Sequence, residues 1–171
     1  ALYVSLNYRI GALGFMDFSS FSGPRRVFDS NLGLRDQVAA LEWVRDNIAN
    51  FGRDPENVTI LGESAGGISV PSLMCIPAAR GLFHRAYAQS AAPSSAYSPE
   101  LHASWARDLL QILNVPLSDA AEALSTLPAS ALVRATNHLT SKIGPADKPG
   151  SLSVSPVVDG DFLPEHPLDI F

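Results

Sequence analysis

The pentapeptide Gly62-Glu63-Ser64-Ala65-Gly66 is the part of the sequence whose residue types and spacing could do chemistry. A serine in the pattern G-x-S-x-G becomes a nucleophile when it stands on a sharp turn between a strand and a helix. The chemistry would be acyl transfer, in which the hydroxyl attacks a carbonyl carbon and a covalent intermediate forms. The alternative is a tight Gly/Ser turn without chemistry, so the flanking segments decide between the two.

Those flanking segments predict the strand–turn–helix setting. Val58–Leu61 is a short apolar run that predicts a buried strand, and Ala65–Cys75 predicts a helix. Pro71 lies inside this helix and belongs to the residue type that kinks or shortens helices. The context therefore favours a nucleophilic Ser64 over a turn without chemistry.

A sharp turn at Ser64 sets requirements for its neighbours. The turn strains the serine backbone and brings the helix close to the strand, so we expect a side chain at Gly62 or Gly66 to clash. The helix begins at Ala65, and its backbone N–H is predicted to point to the carbonyl oxygen on which negative charge develops. Ser64 is thus the predicted catalytic residue, and Ala65 the predicted oxyanion donor.

Each of the four histidines is predicted to have a structural role. His84 precedes a predicted strand, His102 and His138 lie in predicted helices, and His166 stands between Glu165 and Pro167. No pair of them has a metal-binding spacing such as H-E-x-x-H, so we predict no metal. Acyl transfer from a serine also requires no cofactor.

Glu63 precedes Ser64 in sequence, and adjacent side chains point to opposite sides at a strand end. The Glu63 carboxylate should therefore point away from Ser64 and cannot easily orient a base. We therefore expect Glu63 to be buried or half-buried and paired with an arginine such as Arg9. Arg35 and Asp36 lie on the polar side of a predicted helix and are expected at the surface.

Composition indicates one globular domain, with 171 residues of which 46% are hydrophobic and 17% charged. The net charge of −5 and the lack of clustered Lys and Arg argue against nucleic-acid binding. No apolar run approaches the ~20 residues of a membrane span. The single cysteine, Cys75, is predicted to be a small buried hydrophobe, and the lack of a disulfide favours a cytoplasmic location. The oligomeric state is left open.

Hydrophobic periodicity predicts alternating strands and helices over the first half of the chain, which indicates the α/β class with a mostly parallel sheet covered by helices on both faces. A long connection over Arg9–Ser30 separates the first two elements. The predicted elements are a strand over 2–8, a helix over Leu34–Asn50 capped by Asn31 and ended by Gly52, the strand Val58–Leu61, the helix Ala65–Cys75 and a strand over Ala86–Ser90.

After about residue 98 the pattern changes to helices without intervening strands, which predicts a helical insertion. These helices are predicted over Leu101–Leu113, Asp119–Leu127 and Ser130–Leu139. A polar linker over Pro145–Ser153 follows, and Val154–Asp159 predicts one more strand.

The sequence around the pentapeptide resembles the type-B carboxylesterase family, which also contains the cholinesterases. The likeness is dense over residues 1–92, sparse over 93–153 and present again over 154–171, and the bacterial members are the most similar. The segments that carry it are NYRIGALGF (Asn7–Phe15), NLGLRDQVAALEWVRDNIANFG (Asn31–Gly52), DPENVTILGESAGG (Asp54–Gly67), GLFHRAYAQS (Gly81–Ser90) and SPVVDGDFLP (Ser155–Pro164).

The resemblance implies a partial α/β-hydrolase fold and a Ser–acid–His triad that hydrolyses carboxylic esters. Only Ser64 and the oxyanion donor Ala65 carry over by position. The family's acid and His are expected after residue 171, and its glycine-rich oxyanion loop before residue 1, where the chain begins in mid-strand. We leave open whether a signal peptide precedes it. The 171 residues alone are therefore expected to be inactive and to expose apolar strand edges.

Two positions depart from the family pattern: Arg53 replaces a second glycine, and Ala91 replaces the glycine that usually follows QS. Both put local turn geometry in doubt. The resemblance also divides the chain into a nucleophile-bearing core over 1–92, an insertion over 93–153 and a return segment over 154–171. Two other functions stay possible on the same fold: another acyl hydrolase, such as a thioesterase or lipase, and a binding module without catalysis.

Overall fold

The computed structural model describes residues 1–142 and 151–170, so most of the predicted linker Pro145–Ser153 lies outside the described residues. Short 3₁₀ helices also occur, at Ser19–Phe21, Ile48–Phe51, Pro77–Ala79 and Leu117–Asp119. In chain order, the helices and strands are α1 (Ala12–Phe15), α2 (Leu32–Asn47), β1 (Thr59–Glu63), α3 (Ala65–Cys75), β2 (Arg85–Gln89), α4 (Pro99–Ile112), α5 (Ala120–Thr126), α6 (Ala129–Lys142) and α7 (Pro167–Ile170).

Helix α2 is the long helix that the apolar spacing predicts. Its buried stripe is made of Leu34, Val38 and Val44, and Ile48 continues the stripe in the 3₁₀ turn that follows. Leu34 and Val38 belong to the core that includes residues of α3. The predicted end is also confirmed, since the chain leaves the last 3₁₀ turn through Gly52 with a φ of 69°. Spacings of three and four residues thus place one side of α2 against α3.

Strands β1 and β2 form a parallel pair in the described part of the chain, in register from Thr59 opposite Arg85 to Glu63 opposite Gln89. Both strands therefore end at the same edge of the sheet. Helix α3 connects them and packs against both. The prediction of helices on both faces is wrong for β2, because all its residues are exposed. With two paired strands there is too little sheet for helices to enclose.

The predicted strand over residues 2–8 is wrong, because these residues form no backbone ladder. Their apolar side chains stay largely exposed, with Tyr3 75% and Leu6 43% accessible. Six of residues 1–8, all except Ser5 and Asn7, line a cavity of about 640 Å³ together with residues of α2, β1 and α3. A strand is defined by its hydrogen-bonded neighbour, and no neighbouring strand pairs with residues 2–8 in the described residues.

The predicted strand over Val154–Asp159 is reduced to one parallel bridge between Val157 and Tyr97. On the other side of Val157 the side chain of Asn31 replaces a neighbouring strand. Its amide donates to the Val157 carbonyl at 2.8 Å, and its carbonyl accepts from the Val157 N–H at 2.9 Å. Asn31 precedes α2 with a φ of 54°, and its side chain makes no cap hydrogen bond. The predicted capping role is therefore wrong in its mechanism, since Asn31 binds a distant segment instead.

Asp159 extends the contact between the start of α2 and the return segment. Its Oδ2 accepts hydrogen bonds from the Ser30 hydroxyl and, at 3.0 Å, from the Asn31 amide. Its Oδ1 accepts from the N–H groups of Asp161 at 3.0 Å and Leu163 at 2.9 Å. The carboxylate thus closes a turn and holds that turn against α2.

A second core lies between α1, α4 and α6, and α4 and α6 are two of the helices predicted for the insertion. Its buried members are Ala12, Met16, Trp105, Ala106, Leu109, Leu132, Ala135 and Leu139. The three predicted helices are confirmed, with bounds within three residues of those expected.

None of the described helices is long and apolar enough to cross a membrane.

His102 is fully buried beside this core, where its ring meets that of Trp105 edge to face at 5.1 Å. Burial lowers the pKa of His102 to about 4, against the opposing effects of the Asp17 carboxylate and the Pro156 carbonyl. Neither ring nitrogen makes a full hydrogen bond with the described residues, although the Pro156 carbonyl is near enough to favour protonation. The folded protein therefore holds a neutral imidazole in its interior.

This burial predicts a loss of stability in mild acid. The pKa of His102 is lower in the folded protein than its unfolded value of 6.5. Between these two pKa values, the unfolded chain binds a proton at His102 and the folded chain does not. The stabilisation is complete above about pH 6.5 and is lost as the pH falls towards about 4. Between pH 7 and pH 5 we expect His102 to cost about 2 kcal/mol of unfolding free energy.

Urea denaturation of the wild-type and His102→Leu proteins at both pH values measures this contribution. Leucine fills a similar volume without titrating, so the variant should lose about 2 kcal/mol less between pH 7 and pH 5 than the wild type. Other titrating groups contribute equally to both proteins. Equal losses in the two proteins would show that His102 does not titrate as its burial predicts.

Candidate nucleophile site

Ser64 stands on a sharp turn between the end of β1 and the start of α3, as the flanking segments predict. Its backbone has a φ of 56° and a ψ of −113°, a conformation that is costly for any residue with a side chain. The residue is exposed to solvent and lies outside the helix, at the N-cap position. A strained serine with an accessible hydroxyl at a strand end is the geometry of a nucleophile elbow.

Backbone hydrogen bonds hold this turn from both sides. The Ser64 N–H donates to the carbonyl of Gln89, the last residue of β2, at 3.0 Å. The Ser64 carbonyl accepts from the N–H of Ile68, at 2.9 Å, in the first turn of α3. Both strand ends therefore contribute to the position of the serine.

The glycines around Ser64 let α3 approach the two strands, but the responsible pair differs from the prediction. A Cβ atom on Gly62 would overlap the backbone of Gly66, so the requirement at Gly62 is confirmed. A Cβ on Gly66 would meet nothing within 4 Å, so the predicted clash there is wrong. Gly67 takes that role, because its Cβ would lie 2.5 Å from the Gln89 carbonyl oxygen. The backbone of Gly66 lies against Gly62, but a side chain at Gly66 would point into open space, whereas a side chain at Gly67 would point at β2.

Ala65 is the first residue of α3, and it is exposed beside Ser64. The first N–H groups of a helix have no acceptor within the helix, and together they give the helix start a positive potential. An exposed hydroxyl beside free N–H groups is an arrangement that can attack a carbonyl and stabilise the resulting negative charge.

The carboxylate next to the serine does not form the predicted ion pair. Glu63 is exposed, and Arg9 pairs with Asp36 instead, at 2.6 Å from Nη2 to Oδ1 and 2.8 Å from Nε to Oδ2. The Arg9 hydrogen bonds lower the pKa of Asp36 below its usual value. Arg35, also expected at the surface, donates to the Ser30 carbonyl at 2.8 Å and stacks over the Phe162 ring. The predicted burial of Glu63 and its predicted pairing with Arg9 are therefore wrong, because the partner of Arg9 depends on the path of the connection before α2. Arg35 and Asp36, expected at the surface, are half-buried.

Local structure accounts for the other histidines and for the cysteine. The Nδ1 of His84 accepts from the Val58 N–H at 3.3 Å, and the Nδ1 of His166 accepts from the Leu168 N–H at 3.1 Å. His138 is exposed on α6. Cys75 is buried, and burial is the main cause that raises the pKa of its thiol. The thiol donates a hydrogen bond to the Pro71 carbonyl. Among the described residues, no group of three or more His, Cys, Asp or Glu side chains could hold a metal ion.

Ser90 is a residue of this region that the sequence analysis did not single out. It follows β2 directly, has a φ of 51° and is exposed, so a second strained serine lies beside the carbonyl that binds Ser64. Nothing in its sequence context distinguishes it from an ordinary strand-end residue. Arg53 and Ala91, which depart from the family pattern, are not among the described residues with positive φ, so they need no glycine.

The geometry agrees with the comparison with known families. The family model described as "Carboxylesterase family" matches residues 1–171, the full length of the sequence.

The chain belongs to the carboxylesterase family.

Individual carboxylesterases and lipases show the same relationship. The chain is 42% identical over 166 residues to the para-nitrobenzyl esterase of Bacillus subtilis (strain 168), which covers 97% of this chain and 32% of that protein. It is 37% identical over 175 residues to the bile salt-activated lipase of Rattus norvegicus, covering 99% and 28% respectively. The chain thus spans about a third of the length of these relatives.

Solved carboxylesterase structures match the fold described above. A thermophilic PNB esterase superposes with a TM-score of 0.84 at 44% identity, covering 95% of this chain and 32% of that one. A carboxylesterase of Geobacillus stearothermophilus gives 0.81 at 41% identity, with the same coverage. The structure is therefore a partial α/β-hydrolase fold, with a short parallel sheet, flanking helices and a helical insertion, and the expected fold class is confirmed.

The glycines of this carboxylesterase turn provide a direct test of the site geometry. We expect Gly62→Ala and Gly67→Ala to lower the free energy of unfolding by about 1–3 kcal/mol, because each new methyl group would overlap a backbone carbonyl. Gly66→Ala is the matched control, since its methyl enters free space on a helix. It should be neutral or stabilising by up to about 1 kcal/mol.

Urea denaturation of the three variants checks this order. If Gly66→Ala were as unstable as Gly67→Ala, a side chain at Gly66 would also clash, and the rotation of α3 described above would be wrong.

Proposed function

We propose that the whole protein is a carboxylic ester hydrolase that uses Ser64 as its nucleophile and passes through an acyl-enzyme intermediate. The observation that carries this proposal is the strained, exposed Ser64 between β1 and α3. Membership of the carboxylesterase family supports the reaction class, and the names of relatives support an ester as the substrate.

The proposed reaction begins when Ser64 Oγ attacks the ester carbonyl and a histidine takes the hydroxyl proton. The carbonyl oxygen becomes an oxyanion, which the Ala65 N–H stabilises by a hydrogen bond. The intermediate collapses, the C–O bond to the alcohol breaks, and the histidine returns the proton to the alcohol. Water then attacks the acyl-Ser64 ester in the same way and releases the acid. No cofactor takes part in these steps.

We expect the histidine and the acid that orients it in the part of the protein after residue 171, as the family resemblance implies. The local contacts of His84, His102 and His166 support this assignment, because each ring is committed to a structural position. It follows that the 171-residue chain alone should not turn over esters. The exposed side chains of Leu61 and Tyr87 on the two strands also indicate that this sheet needs further neighbours.

A lipase is the second candidate, because bile salt-activated lipases are among the relatives. The two candidates share Ser64 chemistry and differ in the acyl chain that they accept, so hydrolysis of esters of increasing chain length separates them. Thioesters in the same panel test the thioesterase alternative.

The proposal also includes the partner and the location of the protein. The partner is a small-molecule ester, and the location is cytoplasmic, because the single free cysteine cannot form an internal disulfide.

The nucleophile is tested by labelling the whole protein with a fluorophosphonate, which phosphonylates activated serines. We expect stoichiometric labelling of the wild type and none of Ser64→Ala, together with a fall in kcat/KM on the order of 10⁶-fold. The matched control is Ser118→Ala, which removes an exposed serine hydroxyl from a 3₁₀ turn of the insertion and should change neither readout.

The two main outcomes have distinct meanings. Labelling that persists in Ser64→Ala would place the nucleophile elsewhere. An unlabelled wild type without esterase activity would support a binding module instead.

A further inference from the structure

A buried pair of polar side chains joins α2 to the helix that follows Ser64. The amide Nε2 of Gln37 donates a hydrogen bond to the hydroxyl of Ser69 at 3.2 Å. Gln37 is 6% exposed and Ser69 is 5% exposed, so neither is a surface residue that water could satisfy freely. Burial of such groups costs free energy unless they are hydrogen-bonded, and the pair therefore calls for a reason beyond filling space.

The Ser69 hydroxyl continues this contact to the residue beside the nucleophile. It donates to the carbonyl of Ala65 at 3.2 Å. A hydroxyl has one proton and two lone pairs, so accepting from Gln37 directs the proton to Ala65. The resulting series, Gln37 to Ser69 to Ala65, ends on the residue whose N–H we assign to the oxyanion hole.

The start of α3 has a particular need for such support. Pro71 lies inside the helix and has no N–H, so the carbonyl of Gly67 lacks its usual donor four residues later. The backbone ladder is therefore interrupted directly after the first turn. The close contacts at Gly62 and Gly67 limit how near the first turn lies to the strands, whereas a directional hydrogen bond also limits its rotation.

We propose that Gln37 and Ser69 are positioning residues, which hold the first turn of α3 so that the Ala65 N–H meets the oxyanion. This inference rests on the proposed function of Ser64. Neither side chain has to touch the substrate, since both act through the backbone of Ala65. Their effect should therefore appear in the transition state, where the oxyanion exists, and not in ground-state binding of the ester.

Helix α3 itself provides a matched control. Ser72 is also buried, at 1% exposure, and donates to the backbone carbonyl four residues earlier, that of Ile68, at 2.9 Å. In the described residues it receives no hydrogen bond like the one from Gln37. Ser72→Ala thus removes the same type of bond from the same helix, one turn further from the nucleophile.

The experiment measures steady-state ester hydrolysis by the whole protein in the wild type and in Ser69→Ala, Gln37→Met and Ser72→Ala. We expect Ser69→Ala and Gln37→Met to lower kcat by about tenfold and to leave KM within about twofold, because a small misplacement of an oxyanion donor weakens transition-state binding. The affinity for a trifluoromethyl ketone, which forms a tetrahedral adduct with the serine, should fall by the same factor. Ser72→Ala should retain the wild-type kcat.

The double variant Gln37→Met/Ser69→Ala tests whether the two residues act in series. Gln37 acts through the Ser69 hydroxyl, so the double variant should be no slower than Ser69→Ala alone. Losses that multiply would overturn the serial arrangement. If Ser69→Ala does not fold, Gln37→Met still tests the proposal from the other helix, because methionine preserves the size of glutamine without its amide.

The positioning role is overturned if kcat is unchanged in Ser69→Ala and Gln37→Met, if KM rises instead, or if Ser72→Ala loses as much activity. Failure of the esterase assignment looks different, because the wild type itself would then neither hydrolyse esters nor react with a fluorophosphonate.

Discussion

The close approach of α3 to the ends of both strands is the constraint on which the rest of the structure depends. Gly62 and Gly67 permit it, because a methyl group at either position would overlap a backbone carbonyl. The approach forces the chain through the strained conformation at Ser64, which costs on the order of 1–3 kcal/mol. The hydrogen bond from Ser64 to Gln89 and the buried face of α3 offset this cost, and they leave the hydroxyl at the sheet edge.

Helix α2 is the support against which α3 rests, and its own position is set from two directions. Arg9 and Asp36 bind it to the preceding connection, and Asn31 binds its start to Val157. Its apolar stripe fills the core beside α3. The elbow therefore depends on segments that lie far from it in sequence, through packing that a local pattern cannot reveal.

The helices and the turn at Ser64 were predictable from sequence because their causes are local. Apolar spacing gave α2 and the insertion helices, and the glycines with Ser64 gave the turn. The failures involve partners elsewhere in the chain. Residues 2–8 and Val154–Asp159 have strand-like residues, but a ladder requires a neighbour in register. Val157 has a single bridge to Tyr97 on one side and the side chain of Asn31 on the other. Which glycine meets the sheet depends on the rotation of α3, which periodicity alone does not fix.

The contact between Asn31 and Val157 also affects how the protein is made. The two residues are 126 positions apart, and a ribosome adds about 5–20 residues per second, so about 6–25 s separate their appearance. During that interval the start of α2 lacks its partner, and the growing polypeptide carries a long helix without its final anchor. Slow-forming contacts of this kind expose nascent chains to aggregation and to chaperones. The helix that supports the elbow is therefore anchored to Val157 only some time after every residue of the turn itself has emerged.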